Sequence, residues 1–116
     1  MAYDEHLVDR IRQVFVELHV MAEEKKMMGG LCFMVNDKMC AGVSDERLMA
    51  RIDSAIYQEA LTRQGAREMD FTGRPLKGFV FVEPEGIDDD EDLRYWLQLC
   101  LDYNPRAKLS RKRKPR

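Results

Sequence analysis

The sequence predicts an α+β fold: a two-layer sandwich in which an antiparallel sheet carries helices on one side, in the order α-β(3)-α-β(2)-α. Two patterns carry that reading. Near both ends of the chain, apolar residues recur at steps of three and four, the period of a helix with one buried face. Between them, short apolar runs alternate with turn-forming residues, as in a meander of strands. The length of 116 residues suits one domain. With 45% hydrophobic and 34% charged residues the chain has an ordinary globular composition, rich enough in apolar side chains to build a core without a metal or disulfide staple.

The first helix is read over residues 4–23. Leu7, Ile11, Val14 and Leu18 mark its inner stripe, Val8 and Phe15 widen it, and Asp4 or Glu5 places negative charge at its start. The polar run Glu23-Glu24-Lys25-Lys26 ends the pattern. Three strands follow, over 27–35, 38–43 and 47–52. Asn36-Asp37 makes the turn between the first two, because both residues tolerate left-handed backbone. Gly29-Gly30 inside the first strand marks a bulge or a close backbone approach. A second helix begins at Asp53 or Ser54, both good caps, with Ile56, Ala60 and Leu61 inward and Gly65 just past its end. Strands over 66–71 and 78–83 flank a loop over 72–77. The last helix covers 89–101, its face marked by Leu93, Trp96, Leu97, Cys100 and Leu101, and Asn104-Pro105 stops it.

Charge divides the chain. Residues 106–116 hold seven basic side chains (Arg106, Lys108, Arg111, Lys112, Arg113, Lys114, Arg116) and no acid, which leaves twelve basic against twenty-one acidic residues before them, a net of −9. The expectation is a folded acidic body over 1–105 and a disordered basic tail. Seven cations without an aromatic neutralise phosphates but cannot stack on bases, so contact with DNA or RNA through the tail is expected to be non-specific and salt-sensitive. A disordered solubilising arm and an arm folded back onto the acidic body are the alternatives for the same cations.

Catalytic patterns are weak. His6 and His19 lie thirteen residues apart on the first predicted helix, about 220° around at 100° per residue, too far round to share a metal. Ser44, Ser54 and Ser110 sit in no G-x-S-x-G context. Asp88-Asp89-Asp90-Glu91-Asp92 lacks the phasing of a calcium loop and reads as a helix N-terminus complementing its dipole. Cys32, Cys40 and Cys100 form no C-x-x-C pair, and read as buried thiols of a reducing compartment. Eight methionines read as soft core filler, a recognition surface being the less favoured reading. Arg74 and Lys77 before the last strand are a weak candidate for anion binding. No stretch approaches the ~20 apolar residues of a membrane span, and the polar, acidic N-terminus is neither a signal nor a transit peptide. Cytoplasmic residence, with no cofactor, metal or membrane, is the expectation.

The run Lys26-Met27-Met28-Gly29-Gly30-Leu31-Cys32-Phe33-Met34-Val35-Asn36-Asp37-Lys38-Met39 resembles the signature of the TfoX/Sxy N-terminal domain family. Gly73-Arg74-Pro75, Gly78-Phe79-Val80-Phe81-Val82-Glu83-Pro84 and the Trp96 helix follow in the family's order, so the likeness spans roughly residues 7–103. Met28 stands where the family usually has an aromatic, and Ser54 where a proline is common. The resemblance implies the same α-β(3)-α-β(2)-α topology. It also implies a role in regulating competence genes alongside a cyclic-AMP-dependent transcription activator, in proteins that carry a second, helical domain where this chain has its basic tail. It supplies no catalytic or ligand-binding residues. The reading that follows is a non-enzymatic regulatory module, monomer or homodimer, with protein partners (the transcription machinery among them) and nucleic-acid contact through the tail. A small-molecule-binding protein or enzyme using a cleft beside Arg74 and Lys77 is the alternative.

Overall fold

The computed structural model describes residues 3–27, 29–70, 73 and 75–107. Its elements run α1 (Glu5–Glu17), β1 (Glu23–Met27), β2 (Gly30–Val35), β3 (Lys38–Ser44), β4 (Arg47–Arg51), α2 (Tyr57–Ala60), β5 (Ala66–Asp70), β6 (Pro75–Val82) and α3 (Asp90–Tyr103). One sheet contains all six strands in the order β1-β2-β3-β4-β6-β5, and every neighbouring pair is antiparallel. The α+β class and the antiparallel sheet are those the sequence predicts.

The additional strand is β1. The spacing assigns Glu23-Glu24-Lys25-Lys26 to a helix end, but α1 stops at Glu17 and these residues pair along β2 at the sheet's edge. His19 takes a left-handed backbone, φ 59°, and the Val20 N–H bonds the Phe15 carbonyl at 2.8 Å, which closes the helix early. His19 therefore lies off α1, contrary to the expectation that both histidines share it. A strand of charges carries no period-two apolar signal, and a charged edge strand discourages pairing with other chains.

The Gly29-Gly30 pair falls at the β1–β2 turn rather than inside one strand. Gly29 has φ 77°, and a Cβ on Gly30 would stand 1.9 Å from the Val43 carbonyl oxygen. Close approach of two backbones is what Gly30 provides. Asn36 and Asp37, at φ 58° and 65°, form the hairpin turn between β2 and β3 as their composition predicts. The second helix is shorter than expected. Asp53 accepts from the Ala55 N–H and opens a 3-10 turn, Ser54–Ile56, followed by the single α-turn of α2. Tyr57 and Ala60 point inward from it, while Ile56 and Leu61 are half-buried.

The helices all serve one side of the sheet. Leu7, Val8, Ile11, Val14 and Phe15 of α1, with Leu93, Trp96, Leu97 and Cys100 of α3, pack on Leu31, Phe33, Ala41, Val43, Leu48, Ala50, Val80 and Val82. Phe15 meets Phe33 edge-on at 5.6 Å. Each Val, Leu, Ile or Phe side chain among them, withdrawn from water, contributes about 1.5–3 kcal/mol. Ion pairs from Arg10 to Asp90 and Arg94 to Glu17 join the two helices, and Arg12 holds Glu24 of β1 bidentately at 2.7 Å. Tyr57 is buried in this layer with no hydrogen-bond partner for its hydroxyl among the described residues.

A second, smaller cluster fills the opposite face: Cys32, Met34, Met39, Met49, Met69 and Phe81, with Met27 and Phe79 against it. Strand β2 is apolar at every position because it is buried on both sides.

Candidate functional site

The basic segment is the strongest local signal in the sequence, and the structure describes its first two residues, Arg106 and Ala107. Of its seven cations, Arg106 is among the described residues; Lys108, Arg111, Lys112, Arg113, Lys114 and Arg116 lie outside them. Past the end of α3, the chain makes a 3-10 turn, Asn104–Arg106, that is held by side chains of the β2–β3 hairpin and of the turn before α2.

Asn104 is the centre of that anchor and is only 3% exposed. Its amide donates to the Val35 carbonyl at 3.1 Å, and its Oδ1 accepts from Asn36 Nδ2 at 3.0 Å. A buried amide with both ends satisfied fixes orientation as well as position. Lys38 Nζ donates to the Asn104 and Pro105 carbonyls, at 3.2 and 3.1 Å. A cation there complements the C-terminal end of a helix. Arg106 Nη1 lies 2.6 Å from Asp53 Oδ2, with its guanidinium 5.3 Å from the Tyr103 ring centre, and Ala107 is buried. Asp53 thus does two things at once. The Ala55 N–H, and then Arg106, hold its carboxyl below the usual carboxylate range.

This anchor was only half legible. The sequence marks Asn104 as a helix stop and Asn36 as a hairpin residue, which is the extent of a local signal. The partnerships span 66 to 69 residues and need the fold to appear.

The remaining candidates are dispersed. Arg74 lies outside the described residues; Lys77 is exposed on β6. Clefts of about 340, 270 and 290 Å³ open elsewhere: beside His6 and Asp88, between Gln13 and Glu91, and beneath Arg63 and Tyr95. His6 and His19 are both exposed. Ser44 is buried and donates to the Gly29 carbonyl, Ser54 opens the 3-10 turn, and Ser110 is outside the described residues. Asp89 caps α3 by accepting from the Glu91 N–H, with Asp90, Glu91 and Asp92 in the first turn, and Arg10 bonds the carbonyls of Ile87 and Asp88. Among the described residues no group of three or more His, Cys, Asp or Glu side chains is placed to hold a metal ion.

The three cysteines are unpaired and buried. Cys40 and Cys100 belong to the helix-side core, whereas Cys32 lies on the opposite face. Burial raises the Cys32 thiol to about 11 and the Cys40 thiol to about 12, so both stay protonated at neutral pH. No described helix is long and apolar enough to cross a membrane.

Residues 17–103, from the end of α1 to the end of α3, match the family model described as TfoX N-terminal domain. No curated protein and no solved structure matches the chain.

Proposed function

Because the chain belongs to the TfoX N-terminal domain family, we propose that it acts as a non-enzymatic regulatory module that works by binding. The folded body contacts a protein partner, and the basic arm adds non-specific affinity for nucleic acid. The resemblance to competence regulators points the protein contact toward the transcription machinery and the site of action toward the cytoplasm.

The observation that carries this reading is the anchored root. Asn104, Lys38 and the Arg106–Asp53 pair tie the start of a seven-cation segment to the β2–β3 hairpin and to the turn before α2. A charged arm with a fixed point of departure keeps its phosphate contacts in register with whatever the body holds. The protonated, buried thiols and dispersed polar residues favour binding over nucleophilic chemistry.

The test replaces Lys108, Arg111, Lys112, Arg113, Lys114 and Arg116 by Gln and leaves the anchor intact. Fluorescence anisotropy with labelled duplex DNA is compared at low and physiological salt. The wild-type chain is expected to bind in the micromolar range or weaker, with affinity falling steeply as salt rises. The substituted chain should lose about tenfold or more of the low-salt affinity and most of the salt dependence. Equal binding by both chains would remove the arm from the function.

A further inference from the structure

Among the described residues, the face of the sheet opposite the helices carries four cations, Lys25, Arg47, Arg51 and Arg67. Residues directly opposite each other on neighbouring strands share a face, and the register places Lys25 opposite Cys32, Met49 and Arg67 opposite Phe81, and Arg51 opposite Phe79. The apolar groups of this face are themselves closed to solvent, at 0–5% exposure for Cys32, Met34, Met39, Met49, Met69 and Phe81. Two half-buried guanidiniums lie against the rings of this face. Arg47 lies 3.8 Å from the Phe81 ring centre and Arg51 lies 5.4 Å from that of Phe79.

Three carboxylates stand with these four cations. Asp45 stands 3.7 Å from Arg47 and Glu83 stands 3.4 Å from Arg67, while Glu23 is exposed opposite Met34. Lys25 and Arg51 have no carboxylate within ion-pair distance among the described residues. Arg51 is half-buried and spends one N–H on the Met39 carbonyl at 3.3 Å. Burial works against its charge, so an incoming anion gains from meeting it. The body's acids are concentrated on the other layer, as Glu5, Asp9 and Glu17 of α1 and the run at 88–92 before and within α3. Residues 1–105 carry a net charge of −9, yet on this face four cations stand against three carboxylates.

We propose that this face binds single-stranded nucleic acid, with phosphates against Lys25, Arg47, Arg51 and Arg67 and bases stacked on the outer planes of the guanidiniums that lie over Phe81 and Phe79. Stacking on arginine planes and aromatic rings is how exposed bases are held, and a duplex keeps those base faces to itself. A protein partner would need an apolar anchor and a pocket to receive it, whereas here the methionines already fill the space beneath the arginines. This proposal goes beyond the arm, and its test is independent of it.

The experiment uses the full-length chain with the six arm cations replaced by Gln, and measures anisotropy of labelled oligouridylate across a salt series. A matched duplex and an abasic strand of equal length serve as comparators. Retained binding that favours oligouridylate over both comparators supports the proposal. Adding R47Q/R51Q should then weaken binding about tenfold and flatten the salt slope by about 1.4, the value for two phosphate contacts on a single strand. R47K/R51K keeps the charge but not the plane. It should retain the salt slope and lose the preference for uracil over the abasic strand, and it carries the test if R47Q/R51Q melts. Unchanged binding in a folded R47Q/R51Q chain overturns the proposal. So does oligoglutamate binding as tightly as oligouridylate, which would assign the face to an acidic protein segment.

Discussion

The two faces of the sheet are built from different residues. Toward the helices, β2 to β6 present Leu, Val, Ala, Phe and Cys40, and α1 and α3 close over them with Ile11, Phe15, Trp96 and Leu97. On the other side the same strands present four methionines, Cys32 and Phe81, and among the described residues no helix packs on them. Branched and aromatic side chains have few rotamers and reward a matching partner layer. Methionine is unbranched and adaptable, so it closes a surface that has no second layer. The difference shows how a sheet of six strands can be dry on both sides with helices on only one. Arg47 lies over the Phe81 ring and Arg51 over that of Phe79.

The largest effect that tests this contrast is cavity formation. Trp96→Ala, in the helix-side core at 1% exposure, should cost about 3–5 kcal/mol in urea unfolding. Met49→Ala, fully buried on the other face, should fall at the low end of the methionine range, about 2 kcal/mol, because its neighbours are free to rearrange. Equal costs would mean that both faces are packed with the same rigidity. Thiol labelling sharpens the comparison next. Every cysteine is buried, so native labelling should be slow, but Cys32 should react before Cys40. Burial raises the Cys32 thiol less than the Cys40 thiol, which leaves the larger thiolate fraction at Cys32. Mass spectrometry of partly labelled chains reads the order directly, and Cys40 reacting first would contradict it.

The smallest effect concerns how the helix layer is tied to the edge of the sheet. The Arg12 guanidinium beside Glu24 holds that carboxyl below its usual range, against the opposing effect of burial. A depressed carboxylate contributes stability at pH above its unfolded value, and that contribution disappears as pH falls through the folded value. Glu24→Gln should therefore lower stability by less than about 1 kcal/mol at neutral pH. The difference in Tm between the two chains should vanish in acid below the folded value. A difference that persists there would mean that Glu24 acts through packing rather than charge.

Much of the architecture was legible because it is local. The stripe Leu7, Ile11, Val14 and Phe15 specifies α1, Asn36 and Asp37 specify a left-handed hairpin turn, and Trp96, Leu97 and Cys100 specify the inner face of α3. The misreadings have physical causes. Strand β1 has no apolar phase, since all four of its charged residues are exposed. The second helix is a 3-10 turn and one α-turn because Asp53 caps at once and the chain turns back before Gly65. The candidate site was legible only as a count of cations. What gives it a position is the Asn36, Asn104 and Val35 network, which the topology brings together from opposite parts of the chain.

Strand β1 bears on the life of the chain before it is folded. Residues Gly30–Val35 read GLCFMV: six uncharged residues with no proline, a segment prone to stack with copies of itself. In the finished sheet β3 covers one of its edges and β1 the other. The charges of Glu23, Glu24, Lys25 and Lys26 act as gatekeepers that flank the hazard. Because β1 precedes β2 in the chain, a growing polypeptide has this guard in hand before the sticky segment emerges. The strand that contributes least to the core is the one that keeps newly made chains apart.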